Sequence, residues 1–169
     1  MTTSTVNYSS NTTITMDLAN LGSSTTFVAG RESSQIDNTT NKYMDALVSG
    51  FVSVGTTPTA NTTIAIYVWG ADTSLATTAI DTLDGTDSAE TLSNVGVLNA
   101  LRFGASISVP VTTSDFAYPV LPFSVASLFG GVMPKFWGLF VAHNCVSALR
   151  NTAVNTNSME FVGIKYDSV

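Results

Sequence analysis

His143-Asn144-Cys145 is the first place in this chain where residue types invite chemistry. A thiolate nucleophile needs a nearby base and an orienting amide, and all three stand here in a row. Their spacing works against them. Side chains at i and i+2 of a strand lie roughly 6.5 Å apart along one face, beyond the ~3 Å that such a dyad needs. The triplet therefore reads as a buried thiol beside a histidine at a strand end. Asp81, Asp84, Asp87 and Glu90 offer a second chemistry, because calcium takes several oxygen ligands from a flexible loop. Their spacing misses the alternating pattern of a calcium loop, so a solvated acidic loop is expected, with no metal and no other cofactor. Glycoside hydrolysis needs two positioned carboxylates. Glu32 and Glu160 are the only glutamates outside that loop, and nothing brings them together. The expectation is a protein that is not an enzyme.

Two non-catalytic constellations remain. Tyr67, Trp69 and Trp137 are candidates for a platform on which a sugar ring stacks; the competing assignment for such rings is core or subunit interface. The second constellation is the stretch Gly30 to Val48. It holds five of the chain's 18 charged residues, Arg31, Glu32, Asp37, Lys42 and Asp45, with both signs interleaved. Pairs such as Arg31 with Asp37, or Lys42 with Asp45, would satisfy the corner locally at about 0–1 kcal/mol each. Alternatively the corner docks against a neighbouring subunit, and these five residues are the candidate interface. Both readings stand at this point.

Composition narrows the partners. Charged residues are only 11 % of the chain against a typical ~25 %, and 25 Thr and 20 Ser take their place. A surface so poor in charge resembles one that packs against other subunits. The net charge of −6, with only six scattered Lys and Arg, argues against direct nucleic-acid binding, which draws on clustered cations. Cys145 stands alone, so no intrachain disulfide forms and oxidative export is not required. No run approaches the ~18 apolar residues of a membrane span, and the start Met-Thr-Thr-Ser-Thr-Val lacks a basic, then apolar, leader. A product made in the cytoplasm, away from membranes, is expected. The sequons at Asn7, Asn11, Asn38 and Asn61 are read as turn and strand-start residues.

The elements that must position these residues are strands. Residues 1–24 are almost all Thr, Ser and Asn apart from the alternating Ile14 to Leu18, and read as an N-terminal arm that becomes a strand once it finds a partner. Residues 25–169 read as one domain. Thr25 to Val28 is a short strand. Ala46 to Val54 alternates, with Ala46, Val48, Val52 and Val54 on one face; Thr62 to Gly70 follows, and the loop between them suggests a hairpin. Residues 71–94 are the least strand-like and read as an excursion on one edge, with a helical turn capped at Asp87 to Glu90. Strands resume over Val97 to Phe103, Ala105 to Val111 and Tyr118 to Val125, where Pro110, Pro119 and Pro122 force edge or bulged pairing. A helical turn at Ser124 to Phe129 is stopped by Gly130-Gly131. Phe136 to His143 sets Trp137, Leu139, Val141 and His143 against Phe136, Gly138, Phe140 and Ala142; Met159 to Tyr166 alternates in the same way. Eight or nine short strands without a long helix or a fixed repeat predict an all-β fold, an antiparallel β-sandwich of jelly-roll or Greek-key type.

Three segments resemble small structural proteins of tailed double-stranded DNA bacteriophages: Phe27 to Val48, Val54 to Thr62 and Met133 to Asn144. Together they cover about a quarter of the chain. The resemblance implies a virion component located on the capsid surface, a head decoration (cement) protein of jelly-roll type. Its implied partners are the major capsid protein and further copies of itself, as a homotrimer. It brings no catalytic residues, and it covers neither the acidic segment 71–94 nor the Thr-rich arm. The alternative is a tail or fibre-associated module binding host glycans through Tyr67, Trp69 or Trp137.

Overall fold

Alternating Val, Ile and aromatic residues favour a pleated, half-buried surface, and nearly every such stretch of the chain is a strand. The computed structural model describes residues 4–150 and 157–168. Its strands are β1 (Ser4–Tyr8), β2 (Thr12–Ile14), β3 (Ala29–Glu32), β4 (Ile36–Asp37), β5 (Asp45–Ser53), β6 (Thr62–Ala71), β7 (Ser88–Thr91), β8 (Arg102–Val109), β9 (Ala117–Ser124), β10 (Phe136–His143) and β11 (Ser158–Ser168), with a single helical turn α1 (Val125–Leu128). They form two antiparallel sheets packed face to face. One has the order β1-β11-β5-β9, with β2 also on β11; the other has the order β7-β3-β10-β6-β8, with β4 also on β10. With the short β2, β4 and β7 set aside, the eight remaining strands run 1-8-3-6 in one sheet and 2-7-4-5 in the other. That is the strand order of a jelly roll.

The expected sandwich is therefore observed, with several local differences. β5 and β6 do not form a hairpin: they belong to opposite sheets, and the loop between them crosses from one to the other. Both have an apolar inward face, and a jelly roll buries those faces against each other. Residues 97–111 hold one strand where two were expected, because Val95–Ala100 winds into a 3₁₀ turn capped by the Asn94 side chain. Thr25 to Val28 is a turn with Phe27 at φ 60°, and the strand begins at Ala29. Ser88 to Glu90 pairs with β3 as a strand instead of starting a helix. The helical turn after Ser124 is present: the Ser124 hydroxyl accepts the Ser127 N–H at 3.1 Å, and Gly130 and Gly131 stop it at φ +72° and +88°. Pro119 and Pro122 lie on β9, an edge strand with a register shift opposite Val48 and Gly50, where a missing N–H is tolerated.

The N-terminal arm finds its partner within its own chain, and its first three residues lie outside the described ones. β1 and β2 both pair with β11, and Ile14, Leu18 and Leu21 enter the core between the sheets. That core also takes the inward face of β10 (Trp137, Leu139, Val141) and of β5 (Ala46, Val48, Val52).

A second apolar cluster lies on the other side of the six-stranded sheet. Trp69, Phe140 and Ala142 pack there against Leu75, Leu83, Leu92 and Leu101. The segment 72–101 is thus a cover laid over the outer face of this sheet, and only its β7 lies at the edge. Leucines spaced through an otherwise polar stretch make this possible, and they explain why both faces of β6 and β10 are apolar.

Candidate functional site

The structure separates the five charged residues of the corner. Arg31, on β3, does not reach Asp37. Its Nε lies 2.6 Å from Asp87 Oδ1, and its Nη2 donates to the Asp87 carbonyl at 3.0 Å. Asp87 also accepts the Asp17 N–H, so this pair fastens the N-terminal segment to the cover. Asp37 accepts the Thr39 N–H at 2.7 Å, and hydrogen bonds from Thr39 hold its carboxyl below the usual range. Asp45 does not reach Lys42; its Oδ1 accepts the Ala126 N–H at 2.9 Å and so fixes α1 against β5.

Glu32 is fully buried and offers nothing to a partner subunit. Its Oε2 and Oε1 accept the N–H groups of Asp84 and Gly85, both at 3.0 Å, which pins the cover onto the sheet. Burial raises its pKa from 4.5 to about 7, against the lowering effect of those two bonds, and the neighbouring Asp84 and Glu90 add to the rise. A folded-state pKa above the unfolded value means a contribution that is full below pH 4.5 and lost as pH rises through about 7. Glu32→Gln removes this titration. The stability advantage of the natural chain over the variant shrinks by up to about 3 kcal/mol between pH 4.5 and 8. Urea unfolding of both proteins across that range checks it; a constant difference would mean that Glu32 does not titrate there.

The aromatic platform is not assembled. Trp69 and Trp137 are both 0 % exposed and lie on opposite sides of the six-stranded sheet, one under the cover and the other between the sheets. Trp69 lies across from Gly138, where a Cβ would come within 2.4 Å of the indole ring, so the absent side chain is what lets the ring lie flat on β10. Tyr67 is partly buried and packs edge-on to Phe103 with centroids 5.6 Å apart. Stacking on a sugar needs an open ring face, which neither tryptophan has.

His143 and Cys145 are buried structural groups. Nδ1 of His143 accepts the Cys145 backbone N–H at 3.2 Å, so Nε2 carries the proton and donates to the Leu21 carbonyl at 2.9 Å. Burial holds the imidazole pKa below its usual value and pushes the thiol up. The ring is a clamp on the N-terminal segment. The carboxylates of 81–90 are likewise engaged locally: Asp81 accepts the Ser93 N–H, Asp84 the Thr86 N–H, and Glu90 the Ser88 hydroxyl.

Comparison with known proteins finds no matching family model, and no significant match among curated proteins or solved structures.

What the fold does assemble is a surface. Among the described residues, no segment covers the outer face of the five-stranded sheet. Cross-strand partners share a face, and the register sets Val6 beside Tyr166, Tyr8 beside Ile164, Leu47 beside Val162 and Phe51 beside Pro119, with Leu121 two residues further along β9. Val6, Tyr8, Phe51, Leu121 and Tyr166 are all at least 51 % exposed. Asp45 and Glu160 are the acidic groups on this face; of the five corner residues, Asp45 is the one that reaches it. Sequence reasoning missed the surface because it spans four strands distant in the chain. The signal that was present is the outward alternation of Leu47 with Phe51 and of Val162 with Ile164 and Tyr166.

Proposed function

We propose that this chain is a non-enzymatic virion structural protein of a tailed bacteriophage, a capsid decoration (cement) protein that stabilises the head by bridging neighbouring major capsid protein subunits. The observation that carries this reading is the unequal treatment of the two sheets. One outer face is covered over Trp69, Phe140 and Ala142 by the chain's own leucine-bearing segment 72–101, while among the described residues none covers the apolar outer face of the other sheet. Contiguous exposed apolar surface of this kind marks interaction sites. The Ser- and Thr-rich, charge-poor exterior and the resemblance of three segments to phage structural proteins support the same reading. Bridging needs no chemistry: burial of this face across subunit boundaries resists outward pressure on the shell. In this reading the protein is a homotrimer on the capsid exterior, and it makes no direct contact with the genome.

Imaging of purified virions at subunit resolution tests the proposal. The expected result is many copies at regular positions on the head, each with the five-stranded sheet turned toward capsid protein or toward another copy. A few copies confined to the tail would overturn it.

A further inference from the structure

A second feature is independent of the open sheet face and of the virion reading. A cavity of about 450 Å³ lies between the turn Asn38 to Met44 and the segment Gly131 to Lys135. That volume is within the range of small-molecule sites, roughly 300–1,000 Å³.

A backbone hydrogen bond joins its two walls. The Asn38 backbone N–H donates to the Lys135 carbonyl at 2.8 Å. Across the turn, the Asn38 side chain accepts the Tyr43 N–H at 2.8 Å and donates to the Tyr43 carbonyl at 3.0 Å. Tyr43 is seated in turn on Gly163, where a Cβ would come within 2.5 Å of the ring. Lys42 is held at φ 52°, in the left-handed region that few side-chain-bearing residues adopt. These contacts fix the turn Asn38 to Met44 against the second wall.

Its lining is apolar with two cations. Met44 and Val132 are 55 % and 70 % exposed, large apolar side chains left in solvent beside Tyr43 and Met133. Lys42 and Lys135 supply the charge. The chain has only six Lys and Arg at a net charge of −6. Arg31, Arg150 and Lys165 are each spent on an aspartate, whereas Lys42 and Lys135 have no acid partner among the described residues. Two of the remaining three cations thus line one apolar cavity in an acidic protein.

We infer that this cavity binds a small free carboxylic acid with an aliphatic or aromatic body, its carboxylate taken by Lys42 and Lys135 and its body by the methionine- and valine-bearing walls. Methionine suits such a role because its flexible side chain adapts to varied apolar shapes.

The test is calorimetric titration of the full chain with decanoate below its micellar concentration, with decyltrimethylammonium as the same tail bearing the opposite charge. Saturable one-to-one binding of decanoate is expected, with amide chemical-shift changes confined to the two walls. K42Q/K135Q weakens it at least tenfold, and K42E/K135E turns the preference toward the cation. Both lysines are outside the core, and an unchanged melting temperature confirms that the variants fold. Three results would each overturn the inference: no saturable decanoate binding, equal binding by K42Q/K135Q, or equal affinity of the natural chain for the two tails.

Discussion

On the proposed decoration role, replacing Phe51 and Leu121 together by glutamate is expected to strip the protein from capsids while leaving it folded. Both side chains are more than half exposed on the outer face of the five-stranded sheet, Phe51 on β5 opposite Pro119 and Leu121 on β9. Polar substitutions at such positions change stability by about 0.5 kcal/mol or less, so the melting temperature of the double variant stays close to that of the natural chain. Binding responds differently. Truncating a central apolar contact in an interface costs about 2 kcal/mol or more, and a carboxylate placed there also leaves a charge without a partner. An affinity loss of about a hundredfold or more for decoration-free capsids is expected. Val95 is equally exposed but lies on the opposite side, in the cover. Val95→Glu therefore serves as the control and keeps capsid binding. Cosedimentation of each variant with capsids measures the effect. Retention of the Phe51/Leu121 double variant within threefold of the natural chain would remove the open face from the mechanism.

Trp137→Ala should unfold the protein more readily than any surface change. The indole is fully enclosed between the sheets, edge-on to Phe161 across the sandwich with centroids 5.3 Å apart. Phe161 stands edge-on in turn to Tyr43 at 6.2 Å, so three rings connect β10, β11 and the turn before β5. Removing a buried aromatic ring costs about 3–5 kcal/mol, from lost transfer energy and from the cavity left behind. In a domain of this size each kcal/mol lowers the melting temperature by roughly 2–4 °C, so a drop on the order of 10 °C is expected. Trp137→Phe keeps part of the volume and recovers part of the loss. Chemical denaturation of both variants checks the ranking. A loss below about 1 kcal/mol for Trp137→Ala would contradict the central place given to this ring.

Much of the architecture was legible in the chain because a strand declares its two faces in consecutive residues. The inward set of β10, the core face of β5 and the stop at Gly130-Gly131 all follow from local alternation and turn chemistry, and the structure has them. The misread parts share a cause. β5 and β6 looked like a hairpin because a short loop joins two good strands, but partners in this fold are chosen by how eight apolar faces close on one another. The segment 71–94 looked like a solvated excursion because its apolar residues are sparse, and a leucine that seals a sheet from outside obeys no strand or helix period.

The charged corner shows the same division. Its residues were conspicuous in the sequence, but the two pairings suggested by proximity are not formed, and Glu32, a candidate interface residue, is buried. Arg31 turned to Asp87, Asp45 turned to α1, and Glu32 went into the interior to hold two backbone N–H groups of the cover. Electrostatic partners are selected by distance in space, and sequence separation says little about it once strands fold back.

By itself, then, the sequence determined that this is an all-β sandwich with a charge-poor exterior, because periodicity and composition are local or summed quantities. Only the tertiary structure decided which apolar faces stay uncovered and which cations stay unpaired. Those depend on what remains in solvent after every strand, loop and carboxylate has met its partner, and that remainder exists only in the folded chain.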